Sequence, residues 1–160
     1  MKRGFCILLL FALLFLPACR SNGKEALCLA QELALLYPQE GGCLKIYGRE
    51  ELQPILTDLY GANQMPVLSS VADYAAVLAQ NDSGFEIHVL KMRHLSEMEE
   101  GEELLRSRKE LLQSAQMRSY LGQRYDDYLS SALIYRKGLY LFLLITGENG
   151  WAIDRIEQIL

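Results

Sequence analysis

The sequence predicts an α+β domain: a four-stranded antiparallel sheet from two hairpins, a long helix between them, and further N- and C-terminal helices, packed as a two-layer sandwich. Three observations carry this. Strand-like segments pair across polar or glycine-bearing loops at 71–92 and again at 132–145. Between them, a glutamate-rich stretch keeps one apolar stripe at helical spacing. Helical periodicity returns at 24–37 and 149–160.

Before these elements, Met1 to Cys19 has a cationic start at Lys2 and Arg3, an apolar run from Phe5 to Leu16, and the sequence Leu16-Pro17-Ala18-Cys19. The run has twelve residues, whereas a spanning helix needs about twenty, so it reads as the hydrophobic part of a secretory signal. The closing tetrapeptide resembles a bacterial lipobox, and the resemblance implies a diacylglyceryl thioether on Cys19. The alternatives are an ordinary signal peptide or an uncleaved anchor with Cys19 there by chance. The expected organisation is a lipoprotein signal peptide at 1–18, a lipidated cysteine and short tether at 19–24, and one α+β domain at 25–160. A tether from Arg20 to Lys24 reaches about 17 Å at some 3.4 Å per residue, which keeps the domain close to the membrane. The expected address is therefore the cell membrane, lipid-anchored and facing the extracytoplasmic side.

Removing this leader changes the bulk figures. The chain is 51% hydrophobic, but fourteen apolar residues lie in 1–18, and the other 142 residues are about 47% apolar, an ordinary globular value. Losing Lys2 and Arg3 moves the formal net charge from −4 to about −6, which disfavours nucleic acid as a partner.

Lys24 to Tyr37 places Ala26, Leu27, Ala30, Leu33, Ala34 and Tyr37 at three- and four-residue intervals until Pro38 stops the pattern. Gly41 and Gly42 make a turn before a short extended piece, Cys43 to Tyr47. A second helix starts near Pro54 and stops at Gly61. Val71 to Ala79 and Phe85 to Met92 form the first hairpin. In its second strand Phe85, Ile87 and Val89 alternate with Glu86 and His88, so one face is buried and the other is wet or covered by something polar.

The long helix opens with Ser96 and Glu99 in capping-box spacing, with glutamates in its first turns and Arg106, Arg108 and Lys109 later. Met98, Leu104, Leu105, Leu111, Leu112 and Ala115 form its stripe. Tyr125 to Leu129 is a short helical turn. Ala132 to Tyr135 and Leu139 to Ile145 form the second hairpin around Arg136-Lys137-Gly138, and the nearly unbroken apolar run of the latter suits a central strand.

Little in the chain carries chemistry. Cys6 leaves with the signal and Cys19 takes lipid, so Cys28 and Cys43 remain. An oxidising exterior permits a bridge between them, closing a loop of about 15 residues worth about 3 kcal/mol; otherwise both are small apolar residues. No metal-ligand spacing, nucleophile motif or glycine-rich phosphate loop occurs, so neither a metal nor a cofactor beyond the lipid on Cys19 is expected. Glu86 and His88 share a strand face, where a carboxylate can orient an imidazole as a general base. Arg108 falls on the apolar stripe, which leaves two choices: a snorkelling stem, or an ion pair to the facing sheet with Glu86 as the obvious partner. Glu86, His88 and Arg108 are therefore the candidate ligand or structural polar cluster. Tyr120, Tyr125, Tyr128, Tyr135 and Tyr140, with Trp151, offer either a glycan-stacking surface or ordinary core packing.

With these elements in place, the second half resembles a family of small lipoproteins from Gram-positive bacteria, catalogued as domain of unknown function 4358. The residues are Asp73-Tyr74, Glu86-Ile87-His88-Val89-Leu90-Lys91, the helix with Arg106 and Arg108, Tyr120, the Tyr125 to Leu129 turn, and Lys137-Gly138-Leu139-Tyr140-Leu141. The likeness spans roughly Leu44 to Ile145. It implies a lipid-anchored extracytoplasmic domain and supplies no catalytic residues. The expectation is a non-enzymatic binding module at the cell envelope with an envelope protein as partner. The alternative is an envelope-acting enzyme or small-ligand binder using the Glu86/His88/Arg108 region.

Overall fold

The computed structural model describes residues 23–40, 43–81, 83–114, 117 and 123–160. The segment expected to be a signal sequence, Cys19 and most of the expected tether lie outside these residues, as do Ala115 and Tyr120. Along the described chain run α1 (Ala26–Ala34), β1 (Leu44–Tyr47), α2 (Arg49–Leu52), α3 (Leu56–Tyr60), β2 (Val71–Ala79) and β3 (Glu86–Met92). They are followed by α4 (Met98–Gln113), α5 (Gln123–Ser130), β4 (Leu133–Lys137), β5 (Tyr140–Ile145) and α6 (Asn149–Ile159). The class is α+β, as the pattern predicts.

The sheet has five strands, all antiparallel, in the order β1-β2-β3-β5-β4, where the sequence predicts four. The additional strand is the extended piece before Gly48, which pairs Leu44 with Ala79 and Tyr47 with Ala76. Its extended character is legible in the sequence, but its partner lies some thirty positions downstream, so only the assembled sheet shows that it joins β2.

Three layers replace the expected two. All six residues of β5 are buried, and in β3 only Lys91 is not, so both faces of the sheet are covered. Strand alternation sends Glu86, His88 and Leu90 to the face under α3 and α4, where Tyr60 and Arg108 meet them. Ile87 and Val89 point to the face under α1 and α6. On that side the Tyr37 ring meets Phe85 edge-on at 5.0 Å and Trp151 at 5.9 Å.

Local chemistry fixes the joints. α1 receives its N-terminal cap from the sheet: Asp73, just past a register shift in β2, accepts the Ala26 N–H at 2.8 Å through Oδ2. α3 ends at Gly61, whose φ of +87° no ordinary residue adopts cheaply. Ser96 does not cap α4. A 3₁₀ turn, Leu95–Glu97, precedes it, and the Glu97 carboxylate accepts the His94 N–H at 3.0 Å. Met98, Gly101, Leu104, Leu105, Arg108 and Leu112 form the buried stripe, while Leu111 turns outward. At Gly101 a side chain would fall 2.6 Å from both Leu141 and Met92, so the missing Cβ sets how closely α4 approaches the sheet.

The β4–β5 turn is two residues, Gly138-Leu139, closed by the Lys137–Tyr140 pair, with positive φ (+57°) at Gly138 alone, as in a type II′ turn. Gly84 also has positive φ (+70°), but there a Cβ would be driven into the Tyr125 ring, whereas nothing crowds Gly138. Gly138→Ala is expected to cost about 1 kcal/mol from backbone conformation alone. Gly84→Ala is expected to cost at least about 2 kcal/mol more, because overpacking adds to it. Urea unfolding of the two variants checks the difference.

Candidate functional site

Glu86 and His88 leave β3 on one face, two residues apart, and the helices of the upper layer supply their partners. Arg108 of α4 makes a bidentate pair with Glu86: Nε donates to Oε2 at 2.9 Å and Nη2 to Oε1 at 2.5 Å. Its third donor, Nη1, reaches the Leu59 carbonyl at 3.2 Å, tying α3 to the same point. His88 Nε2 lies 2.8 Å from Glu86 Oε2, and its Nδ1 lies 2.7 Å from the Tyr60 hydroxyl. An ionised Glu86 can only accept, so Nε2 carries the proton and donates, and Nδ1 accepts from Tyr60 O–H. The result is one chain: Tyr60 to His88 to Glu86, with Arg108 clamped on its end.

Electrostatics agree with that assignment. Burial alone would raise the Glu86 carboxyl, but Arg108 and the hydrogen bonds from His88 and Arg108 hold it down at about 2. Burial pushes His88 down, against the pull of Glu86, so the ring is neutral at pH 7. The Tyr60 hydroxyl is pushed up by burial. On Arg108 the attraction of Glu86 overcomes the burial cost.

A histidine between a carboxylate and a hydroxyl has the order of an acid–base relay. Access decides against that use. His88 is 0% exposed, Tyr60 3%, Glu86 7% and Arg108 7%, and none of them lines the grooves beside Gly23, Leu160 or Gln113. No buried side-chain nitrogen or oxygen among the described residues lacks a hydrogen-bond partner. The three residues singled out in the sequence are thus brought together, but as a sealed cluster whose donors and acceptors satisfy one another. Tyr60 is the member the sequence does not announce; its only signal is the Leu56/Tyr60 spacing on a short amphipathic turn.

The other candidates disperse. Cys28 and Cys43 are free thiols, not a bridge. Leu29, Ala30 and Leu33 take the buried side of α1, which leaves Cys28 facing solvent, while Cys43 leads into β1. The tyrosines do not form one surface. The Tyr125 hydroxyl donates to the Leu112 carbonyl, Tyr128 to Glu40, Tyr135 to Glu157 and Tyr140 to the Lys24 carbonyl, while Trp151 is half exposed over Tyr37. No group of three or more metal-ligating side chains occurs among the described residues, and no helix among them is long and apolar enough to cross a membrane.

The open feature lies at the other end of β3. A groove of about 690 Å³ is bordered by the first described residues of the chain, by Arg49 and Glu50 of α2, and by Asp73 and Lys91. Its cations escaped the sequence reading, because Arg49 and Lys91 are far apart in sequence and carry no motif.

In comparisons with known proteins, no family model, no curated protein and no solved structure matches the chain.

Removing one partner of the sealed pair leaves a buried charge. Arg108→Met is expected to cost about 3–5 kcal/mol in urea unfolding, and the double variant Glu86→Leu/Arg108→Met to recover most of it. Stability should also fall away from neutrality. His88 and Glu86 hold pKa values below those of the unfolded chain, which therefore binds more protons as pH falls. The expected profile declines below pH 6.5 and again between 4.5 and about 2. Tyr60 has the opposite sign, its protonated form being favoured in the fold, so stability declines above pH 10.0.

Proposed function

We propose that the chain is an extracytoplasmic lipoprotein, anchored through Cys19, whose folded part is a non-enzymatic binding or interaction module at the cell envelope. The observation that supports the non-enzymatic part is the burial of Glu86, His88, Tyr60 and Arg108: the cluster with acid–base capability exposes little of its surface, and its imidazole none. A general base must come within hydrogen-bond reach of the proton it abstracts, and His88 already spends both ring nitrogens internally.

The anchor reading is supported by the cationic start, the twelve-residue apolar run and the cysteine position. It also fits the way the chain joins the fold. Lys91 Nζ donates to the Gly23 carbonyl at 2.9 Å, and the Tyr140 hydroxyl to the Lys24 carbonyl at 2.7 Å. The chain is thereby fixed to the domain only four residues after Cys19, so a lipid on that cysteine holds this end of the sheet within about 14 Å of the headgroups. Two acyl chains suffice for stable attachment, since each buried CH₂ contributes about 0.8 kcal/mol.

Intact-mass analysis of the membrane fraction tests the reading. The expected species begins at Cys19 and carries a diacylglyceryl mass, and Cys19→Ala loses both that mass and membrane retention. An unmodified chain still starting at Met1 overturns it. Crosslinking at the native membrane then identifies the partner, and the capture is expected to disappear in Cys19→Ala.

A further inference from the structure

We propose that the groove beside Gly23 binds a phospholipid headgroup, specifically a phosphate esterified to an amino alcohol, from the leaflet in which the protein is anchored. The inference rests on the lipoprotein reading, because the anchor is what brings the groove to that leaflet.

Charge bookkeeping around the groove is the first argument. Away from the groove, Lys45, Arg93, Lys109 and Arg136 have no carboxylate partner among the described residues, while five cations are matched: Lys24 and Arg155 to Glu32, Arg106 to Glu103, Arg108 to Glu86, Lys137 to Glu157. Arg49 and Lys91 are not, among the described residues. Arg49 donates to the Ala72 carbonyl at 3.1 Å and lies 5.6 Å over the Tyr74 ring. Lys91 donates to the Gly23 carbonyl and lies 5.6 Å over the Tyr140 ring. Each is held by a neutral carbonyl and an aromatic face, which leaves spare N–H donors on both. That arrangement suits a phosphate, which accepts several charge-assisted hydrogen bonds.

Glu25 and Glu50 supply the other sign. Both line the same groove, both are exposed, and neither has a hydrogen-bond or ion-pair partner among the described residues. Glu51 and Asp73, whose carboxylates accept backbone N–H groups, line it too, so the groove carries four carboxylates and two cations, a mixed lining that complements a zwitterion, its ammonium on the carboxylates, rather than a simple anion.

Shape is the second argument. The groove, about 690 Å³, is within the usual range for a small ligand of about 300–1,000 Å³. A second hollow of about 250 Å³ adjoins it, sharing Gly23 and Lys91 and lined by Leu139, Tyr140 and Leu160. A polar hollow meets an apolar one across a lysine, which matches an amphiphile: ammonium toward Glu25 and Glu50, phosphate at Lys91 and Arg49, and the start of the acyl chains against Leu139 and Leu160.

Native mass spectrometry of the full chain, released from membranes in a non-ionic detergent, tests this. The probes are phosphatidylethanolamine, phosphatidylglycerol and free phosphoethanolamine. The expected result is a one-to-one adduct favouring phosphatidylethanolamine over the other two by about fivefold or more. In Arg49→Ala/Lys91→Ala, occupancy should drop about tenfold, the loss of charge-assisted contacts to phosphate. Glu25→Gln/Glu50→Gln should abolish the preference over phosphatidylglycerol while keeping an adduct, and Lys45→Ala should change nothing. Matching thermal unfolding of the variants keeps misfolding apart from loss of binding. No adduct, or equal occupancy in the Arg49/Lys91 double variant, overturns the site. Equal binding of free phosphoethanolamine overturns the lipid assignment. The same spectrum reports the covalent lipid on Cys19 independently, so failure of the anchor is distinguishable from failure of the groove.

Discussion

Everything in the upper half of the molecule is placed by one buried ion pair. Arg108 reaches down from α4 and meets Glu86 on the sheet in a two-pronged contact, and its remaining donor holds the end of α3 through the Leu59 carbonyl. Taking two charges out of water is costly, and the interaction compensates only when geometry is good and every remaining donor and acceptor is used. Here His88 takes one further site on the carboxylate and Tyr60 completes the histidine, so the cost is met inside the cluster. Such a cluster constrains register more than it adds stability. A one-residue slip of β3 would send Glu86 and His88 to the face under α1, away from Arg108 and Tyr60.

How much of this could be read from the sequence follows from the range over which each signal acts. β2 and α6 carry strong periodicity and begin where their patterns begin. Glu86 as the partner of Arg108 was legible because a charge interrupting an apolar stripe needs an explanation, and alternation in β3 offers one carboxylate and one imidazole on a single face. Tyr60 was not legible: a tyrosine closing an apolar turn looks the same whether its hydroxyl reaches water or a buried nitrogen. β1 escaped the sheet for a similar reason, since a four-residue strand is defined by its partner. The two-layer expectation failed because β5 alone shows unbroken burial, while the alternation in β3 suggested an open face that Arg108, His88 and Tyr60 fill.

The pairing pattern also divides the molecule by task. The acid–base groups are locked in the interior, where they act as scaffold. Arg49 and Lys91, which have no carboxylate partner among the described residues, border the groove at the far end of β3, beside Gly23. Asp73 belongs to both regions in a useful way: it caps α1 and so fixes the helix whose first residues border the groove. A rigid interior thus holds an exposed, charged rim in position.

Whether His88 is a sealed, neutral bridge or a reactive base is read directly by long-range ¹H–¹⁵N correlation of its ring. A single Nε2–H tautomer is expected, with ring shifts that stay constant from pH 8 to pH 6.5 and an N–H that exchanges slowly with solvent. A ring that titrates at or above the ordinary histidine value, with a rapidly exchanging proton, would contradict it and return Glu86, His88 and Arg108 to consideration as an active site.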